Sequence, residues 1–135
     1  MTERKTRVLM LDDERFLLEV YKKSFEKNGY EVYTYYHVDD ALSALRQGLG
    51  PDVILFDITM PEIKSGYEFI ETVKNEKLAK HSLKLALTNE GQEGEITRTK
   101  ELGANDHLIK SEYIPSELVE KVTQMLKTKK NWFTF

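Results

Sequence analysis

Apolar residues along this chain arrive in two rhythms. Five short runs are continuously apolar or rich in β-branched and aromatic residues: RVLML (Arg7–Leu11), EVYTY (Glu31–Tyr35), DVILF (Asp52–Phe56), LKLAL (Leu83–Leu87) and HLI (His107–Ile109). Their length and composition predict strands. The first, third and fourth lack a regular polar alternation, as expected of parallel strands covered on both faces. Between them the apolar positions recur at helical spacing. Glu14 to Asn28 carries Phe16, Leu17, Val20, Tyr21, Ser24 and Phe25, and Gly29 supplies a stop. Asp39 or Asp40 is placed to cap a second helix through Leu42, Leu45 and Leu49. A third is predicted over Gly66 to Asn75, with Phe69, Ile70 and Val73 on one side. The fourth, in GEITRTKELGA and beginning near Gly91 and Gly94, is weaker, and its poor helix formers suit a movable element. The fifth, Ser116 to Thr128, has a stripe of Leu118, Val119, Val122, Met125 and Leu126. Strand and helix alternate five times. That predicts an α/β domain, a doubly wound five-stranded parallel sheet with helices on both faces. Residues 1–128 form the predicted domain, and 129–135 a tail of basic residues followed by exposed aromatics.

The composition narrows the class. The chain has 135 residues, 40% of them hydrophobic, enough for one core and hardly two. There is no cysteine, which removes disulfides and thiolate metal sites. No apolar run approaches the ~20 residues a bilayer helix needs, and the charged start MTERKTR lacks the apolar stretch of a signal peptide. These features predict a soluble, cytoplasmic protein without membrane contact. Twenty basic and 23 acidic residues give a net charge of −3, so the domain offers no electrostatic ground for direct nucleic-acid binding.

One position breaks the hydrophobic logic. The run VILF ends on Asp57, four residues before Pro61. Burying an unpaired carboxylate is costly, so this one needs partners. Asp12 and Asp13 follow the first run. In the strand order 2-1-3-4-5, the first and third strands flank the point where the order reverses, and ligands gather there beyond the strand ends. Three converging carboxylates cannot all stay ionised without a counter-charge. An all-oxygen donor set favours a hard cation such as Mg2+. Thr88 and Lys110, ending the fourth and fifth strands, add a hydroxyl and an ammonium at the same rim. A carboxylate nucleophile, a metal and a cationic clamp are parts for phosphoryl transfer.

Four segments carry a family resemblance: LMLDDE (Leu9–Glu14), ILFDITMP (Ile54–Pro61), LALTNE (Leu85–Glu90) and LGANDHLIKS (Leu102–Ser111). Together, and in this order, they resemble the receiver domains of two-component response regulators, from about Arg7 to Thr128. The resemblance implies the flavodoxin-like (βα)5 receiver fold. It also implies that Asp57 accepts a phosphoryl group from a histidine kinase or phosphotransfer protein. Asp12, Asp13, Asp57 and the backbone carbonyl of Thr59 would hold Mg2+. Lys110 would pair with the phosphoryl oxygens, and Thr88 would swing toward them on activation. His107 falls where the family often has a rotating Tyr or Phe, a switch position. A histidine there would also add pH sensitivity.

Thr59 and Glu90 lie where the family tunes attack of water on the phosphoaspartate. Output would be a binding event on the face of the fourth helix, fifth strand and fifth helix, as in stand-alone chemotaxis-type regulators. It would serve a downstream protein partner, with the domain a monomer or weak dimer and not an enzyme in the turnover sense.

The residues also depart from the pattern. Gly66 lies five residues after Pro61, where four is usual; Asn89 stands where Ala or Gly is preferred; Ser111 replaces a common proline. Asn89 and Ser111 motivate an alternative, a constitutive interaction module that no longer handles phosphate. A third reading is a small Mg2+-dependent phosphatase. The haloacid-dehalogenase type would place Asp-x-Asp after the first strand, whereas here the aspartates are adjacent. A flavodoxin would need a phosphate-binding loop where this chain has the acidic DDE.

Overall fold

The structure is a computed structural model, and it describes residues 4–58, 65–89 and 93–131, with the backbone alone at 93, 130 and 131. Five strands, β1 (Arg7–Leu11), β2 (Glu31–Tyr35), β3 (Val53–Asp57), β4 (Leu83–Thr88) and β5 (Asp106–Ile109), form one parallel sheet in the order β2-β1-β3-β4-β5. The α-helices between and after them are α1 (Arg15–Lys27), α2 (Val38–Arg46), α3 (Gly66–Asn75), α4 (Glu93–Leu102) and α5 (Pro115–Asn131). A single 3-10 turn, Lys110–Glu112, joins β5 to α5. The expected doubly wound sheet is present.

Strand alternation sorts the core into two halves. Val8 and Met10 of β1 and Val53 and Leu55 of β3 point toward α1 and α5, against Leu18, Tyr21, Phe25, Leu118, Val119 and Val122. Leu9, Leu11, Ile54 and Phe56 point the other way, onto α2 and α3. Both faces of the inner strands are therefore dry, which is why their sequences read as unbroken apolar runs. Phe25, Phe56 and Phe69 are completely buried, each contributing about 1.5–3 kcal/mol by leaving water.

Several boundaries differ from the sequence reading, each for a local reason. β3 begins one residue later than expected. The Asp52 side chain is drawn outward to the fork of Arg4 (2.8 and 2.9 Å) and to the backbone N–H of Arg7 (2.8 Å). The strand runs to Asp57, in register with Leu87 of β4. The buried stripe of α1 is Leu18, Tyr21 and Phe25, whereas Phe16 is 84% exposed at the first turn. On α2, His37 rather than Asp39 or Asp40 occupies the cap position, and both aspartates lie in the first turn, where a negative charge meets the positive end of the helix dipole.

Helix α5 starts at Pro115, not Ser116, and continues to Asn131, past the expected end at Thr128. The N–H of Ile114 donates to Glu117 Oε1 (3.0 Å), half of a capping box, with proline at the favoured first helical position. Tyr30, just before β2, is buried against Phe25 with ring centroids 5.0 Å apart. The Lys110–Ser111 peptide is trans, as are the others among the described residues.

Candidate functional site

The carboxyl ends of β1, β3, β4 and β5 bring four sequence-predicted residues to one rim. Asp12 follows β1, Asp57 ends β3, Thr88 ends β4 and Lys110 follows β5. All four are buried, with exposures of 2%, 2%, 2% and 8%. At such depth these polar groups must satisfy one another or a ligand.

Lys110 is the hub. Its Nζ donates to Asp12 Oδ2 at 2.8 Å, Glu14 Oε2 at 3.2 Å and Asp57 Oδ2 at 3.3 Å. Burial alone would push this ammonium down. The bond to Asp12, the charges of Asp12 and Asp57, and the bond to Glu14 outweigh burial and hold it above the ordinary lysine range. Asp12 moves in the same direction for a different reason. Burial, reinforced by the charge of Asp57, pushes it up to about 6 against the opposing bonds from Lys110 and the Glu14 N–H. One ammonium thus does not balance the site: two buried carboxylates and the half-exposed Glu14 compete for it.

Asp13 completes the acidic group. One oxygen from each of Asp12, Asp13 and Asp57 lies within 4.8 Å of the others. This all-oxygen set, with a surplus of negative charge, fits a hard divalent cation. The fourth expected ligand, the Thr59 carbonyl, lies outside the described residues, as does Glu90.

Thr88 Oγ1 is buried without a hydrogen-bond partner among the described residues. A hydroxyl left so costs free energy, and an acceptor arriving at this rim relieves that cost. His107 is on β5, its side chain 21% exposed and its Nδ1 3.6 Å from Asp106 Oδ1. It pairs in register with Ala86, two residues back along β4 from Thr88. Asn89 is exposed.

Two site features were not legible in advance. Glu14 reads in sequence as the start of a helix, yet it reaches Lys110; a third carboxylate directly after Asp12 and Asp13 was the available signal. Gly66 reads as a spacing anomaly. In the fold, a Cβ there would lie 2.2 Å from the carbonyl oxygen of Asp57 and 2.6 Å from the Cα of Ile58. Only glycine lets α3 begin directly against the backbone of the buried aspartate. The cap behind it is Ser65, whose hydroxyl accepts from the N–H of Glu68 at 3.4 Å.

Comparison with known proteins agrees with this geometry. The model of the response regulator receiver domain matches residues 8–123. The response regulator SaeR of Staphylococcus aureus is 32% identical over 127 residues, covering 94% of this chain and 53% of that protein. The chain thus spans about half the length of the curated relatives it matches. Among solved structures, the chemotaxis response regulator CheY4 of Vibrio cholerae superposes with a TM-score of 0.79 at 30% identity, covering 90% of this chain and 98% of that one. A putative response regulator from Chloroflexus aurantiacus gives 0.80 at 31% identity, covering 92% and 99%.

Proposed function

The chain belongs to the response regulator receiver family of two-component systems, and on that footing we propose that Asp57 is its phosphoacceptor. The carrying observation is the burial of Asp57 at the end of β3, 3.3 Å from Lys110 Nζ and grouped with Asp12 and Asp13. A carboxylate oxygen of Asp57 attacks the phosphorus of a phosphohistidine on a histidine kinase or phosphotransfer protein. The new O–P bond forms as the P–N bond breaks, and the electron pair leaves with the imidazole. Asp12, Asp13 and Asp57, with the carbonyl of Thr59, would hold Mg2+, which supplies positive charge to offset the repulsion between the carboxylates and the incoming phosphoryl oxygens.

Lys110 turns from its carboxylates to a phosphoryl oxygen. Thr88 donates its unpartnered hydroxyl to another. That new bond is available only in the phosphorylated state, so it favours whichever arrangement of β4 and α4 lets the hydroxyl reach. The output surface of this reading is the α4, β5 and α5 face, with a protein partner, and His107 reports the change from β5. The chemistry is a single self-phosphorylation and its hydrolytic reversal, in a cytoplasmic setting.

The test is intact mass after incubation with acetyl phosphate and Mg2+, with Asp57→Ala in parallel. One phosphoryl group gained by the parent alone, and blocked by a chelator, is expected. No gain, under conditions that modify another receiver, would overturn the reading in favour of a constitutive module.

A further inference from the structure

The opposite edge of the sheet carries a feature that phosphoryl chemistry does not use. A cavity of about 440 Å3 opens where the amino ends of β1, β3 and β4 meet α5. Strands of this length put it about 16 Å from Asp57. Its walls include the ring of Tyr30, Leu126 and Thr123, whose hydroxyl is already bonded to Tyr30 Oη at 2.7 Å. Among the described residues its charged groups are Asp52, Lys127 and Lys129.

The charges do not cancel inside the cavity. Asp52 accepts from both arms of the Arg4 fork and from the Arg7 N–H, so an arginine from outside the cavity answers its charge. Lys129 is bonded to the main-chain carbonyl of His81, and Lys84 behind it to that of Ser82. Neither lysine is ion-paired with a carboxylate within bonding distance among the described residues. Burial pushes Lys84 down to about 8, and the charge of Lys129 adds to the effect. Lys129 is lowered by burial as well, with the charge of Asp52 opposing. Two ammonium groups drawn together onto adjacent carbonyls, beside an apolar space of ligand size and with Asp52 already held by Arg4, leave a surplus of positive charge among the described residues.

We propose that this cavity binds a small organic anion, a carboxylate or phosphate on a short apolar body, with the charged group on Lys129 and the body against Tyr30 and Leu126. The volume suits a compact metabolite. A charge-assisted bond to an ammonium is stronger than the carbonyl bond it replaces. Lys84 gains from the same ligand without touching it, because an anion beside Lys129 offsets the repulsion between the two lysines.

The full chain should be titrated with phenyl phosphate, octanoate, inorganic phosphate and the neutral benzyl alcohol, following backbone amide and lysine Nζ resonances. The organic anions are expected to give saturable shifts at Thr6, Tyr30, His81 and Thr123, with Kd below about 1 mM for ligands of this size. Lys129→Gln should weaken binding about tenfold and Lys129→Arg should restore it. The Asp57→Ala chain should bind as the parent does, which separates this site from the phosphoryl site. Absence of saturable shifts would overturn the proposal. So would equal binding of benzyl alcohol, which would mark a merely apolar hole, or an affinity indifferent to Lys129→Gln.

Discussion

Two lysines, the buried Lys110 and the half-buried Lys84, lie at opposite ends of the strands of one sheet and respond to desolvation in opposite ways. Lys110, at the carboxyl rim, sits among Asp12, Glu14 and Asp57 and is held protonated beyond the ordinary range. Lys84, near the amino edge, has a carbonyl and a second lysine for company, and falls to about 8. Desolvation is the leading cause at both positions and has the same sign at both. The neighbouring charges decide which way the group moves. The two edges are therefore opposite electrostatic objects. The carboxyl rim has more negative charge than its one lysine balances, a surplus that suits a cation. The amino edge has more positive charge than its described residues balance.

The harshest way to break this contrast is Lys110→Met. Two buried carboxylates would lose their shared ammonium, and removal of one partner from a buried pair costs about 3–5 kcal/mol. Urea denaturation in a chelator should show that loss. Added Mg2+ should return much of it, since the metal supplies the missing charge by binding only the folded state.

Gly66→Ala crowds the same rim without altering a charge. Its methyl would collide with the carbonyl oxygen of Asp57, so a loss of about 2–3 kcal/mol and slower phosphorylation by acetyl phosphate are expected. A variant as stable as the parent would mean that α3 can retreat from Asp57.

At the amino edge the sign should reverse. Lys84→Met removes an ammonium that the folded chain accommodates poorly, and should stabilise the protein at pH 7 by about 1–2 kcal/mol after allowance for solvent screening. Because the folded value lies below the unfolded one, the unfolded chain binds more protons between about pH 8 and 10.5. The parent should therefore gain stability as the pH rises through that window, and its deficit against the variant should shrink. Melting curves across the range would show it. A deficit that grows with pH would refute the assignment of Lys84 as the strained cation.

The mildest probe is Glu14→Gln. This half-exposed carboxylate is the outermost of the three on Lys110, and its loss should cost no more than about 1 kcal/mol. A larger effect would mean that Glu14 fixes the lysine rather than merely sharing it.

The amino-acid sequence determined much of this on its own, because hydrophobic periodicity is local. Five apolar runs separated by amphipathic stretches leave little alternative to a doubly wound sheet. Charged or hydroxyl residues at the ends of buried strands mark a rim where they must find partners, so Asp12, Asp57, Thr88 and Lys110 were legible from their positions alone. The buried face of α1 was legible only in part: Tyr21 and Phe25 bury as their spacing predicts, and Leu18 joins them. Phe16 is apolar and helically spaced, but it lies in the first turn and faces solvent, and only packing reveals that.

Nor could spacing show that Gly66 abuts the carbonyl of Asp57, since that approach depends on where α3 docks. The reach of Glu14 to Lys110 spans 96 positions and exists only once β1 and β5 are fixed by the strands between them. The two lysines of the amino edge, 45 positions apart by the numbering in the sequence, are ordinary surface residues on paper. Tertiary structure decided their character, because desolvation and Coulomb interaction depend on distance in space, and the order of residues along the chain carries neither.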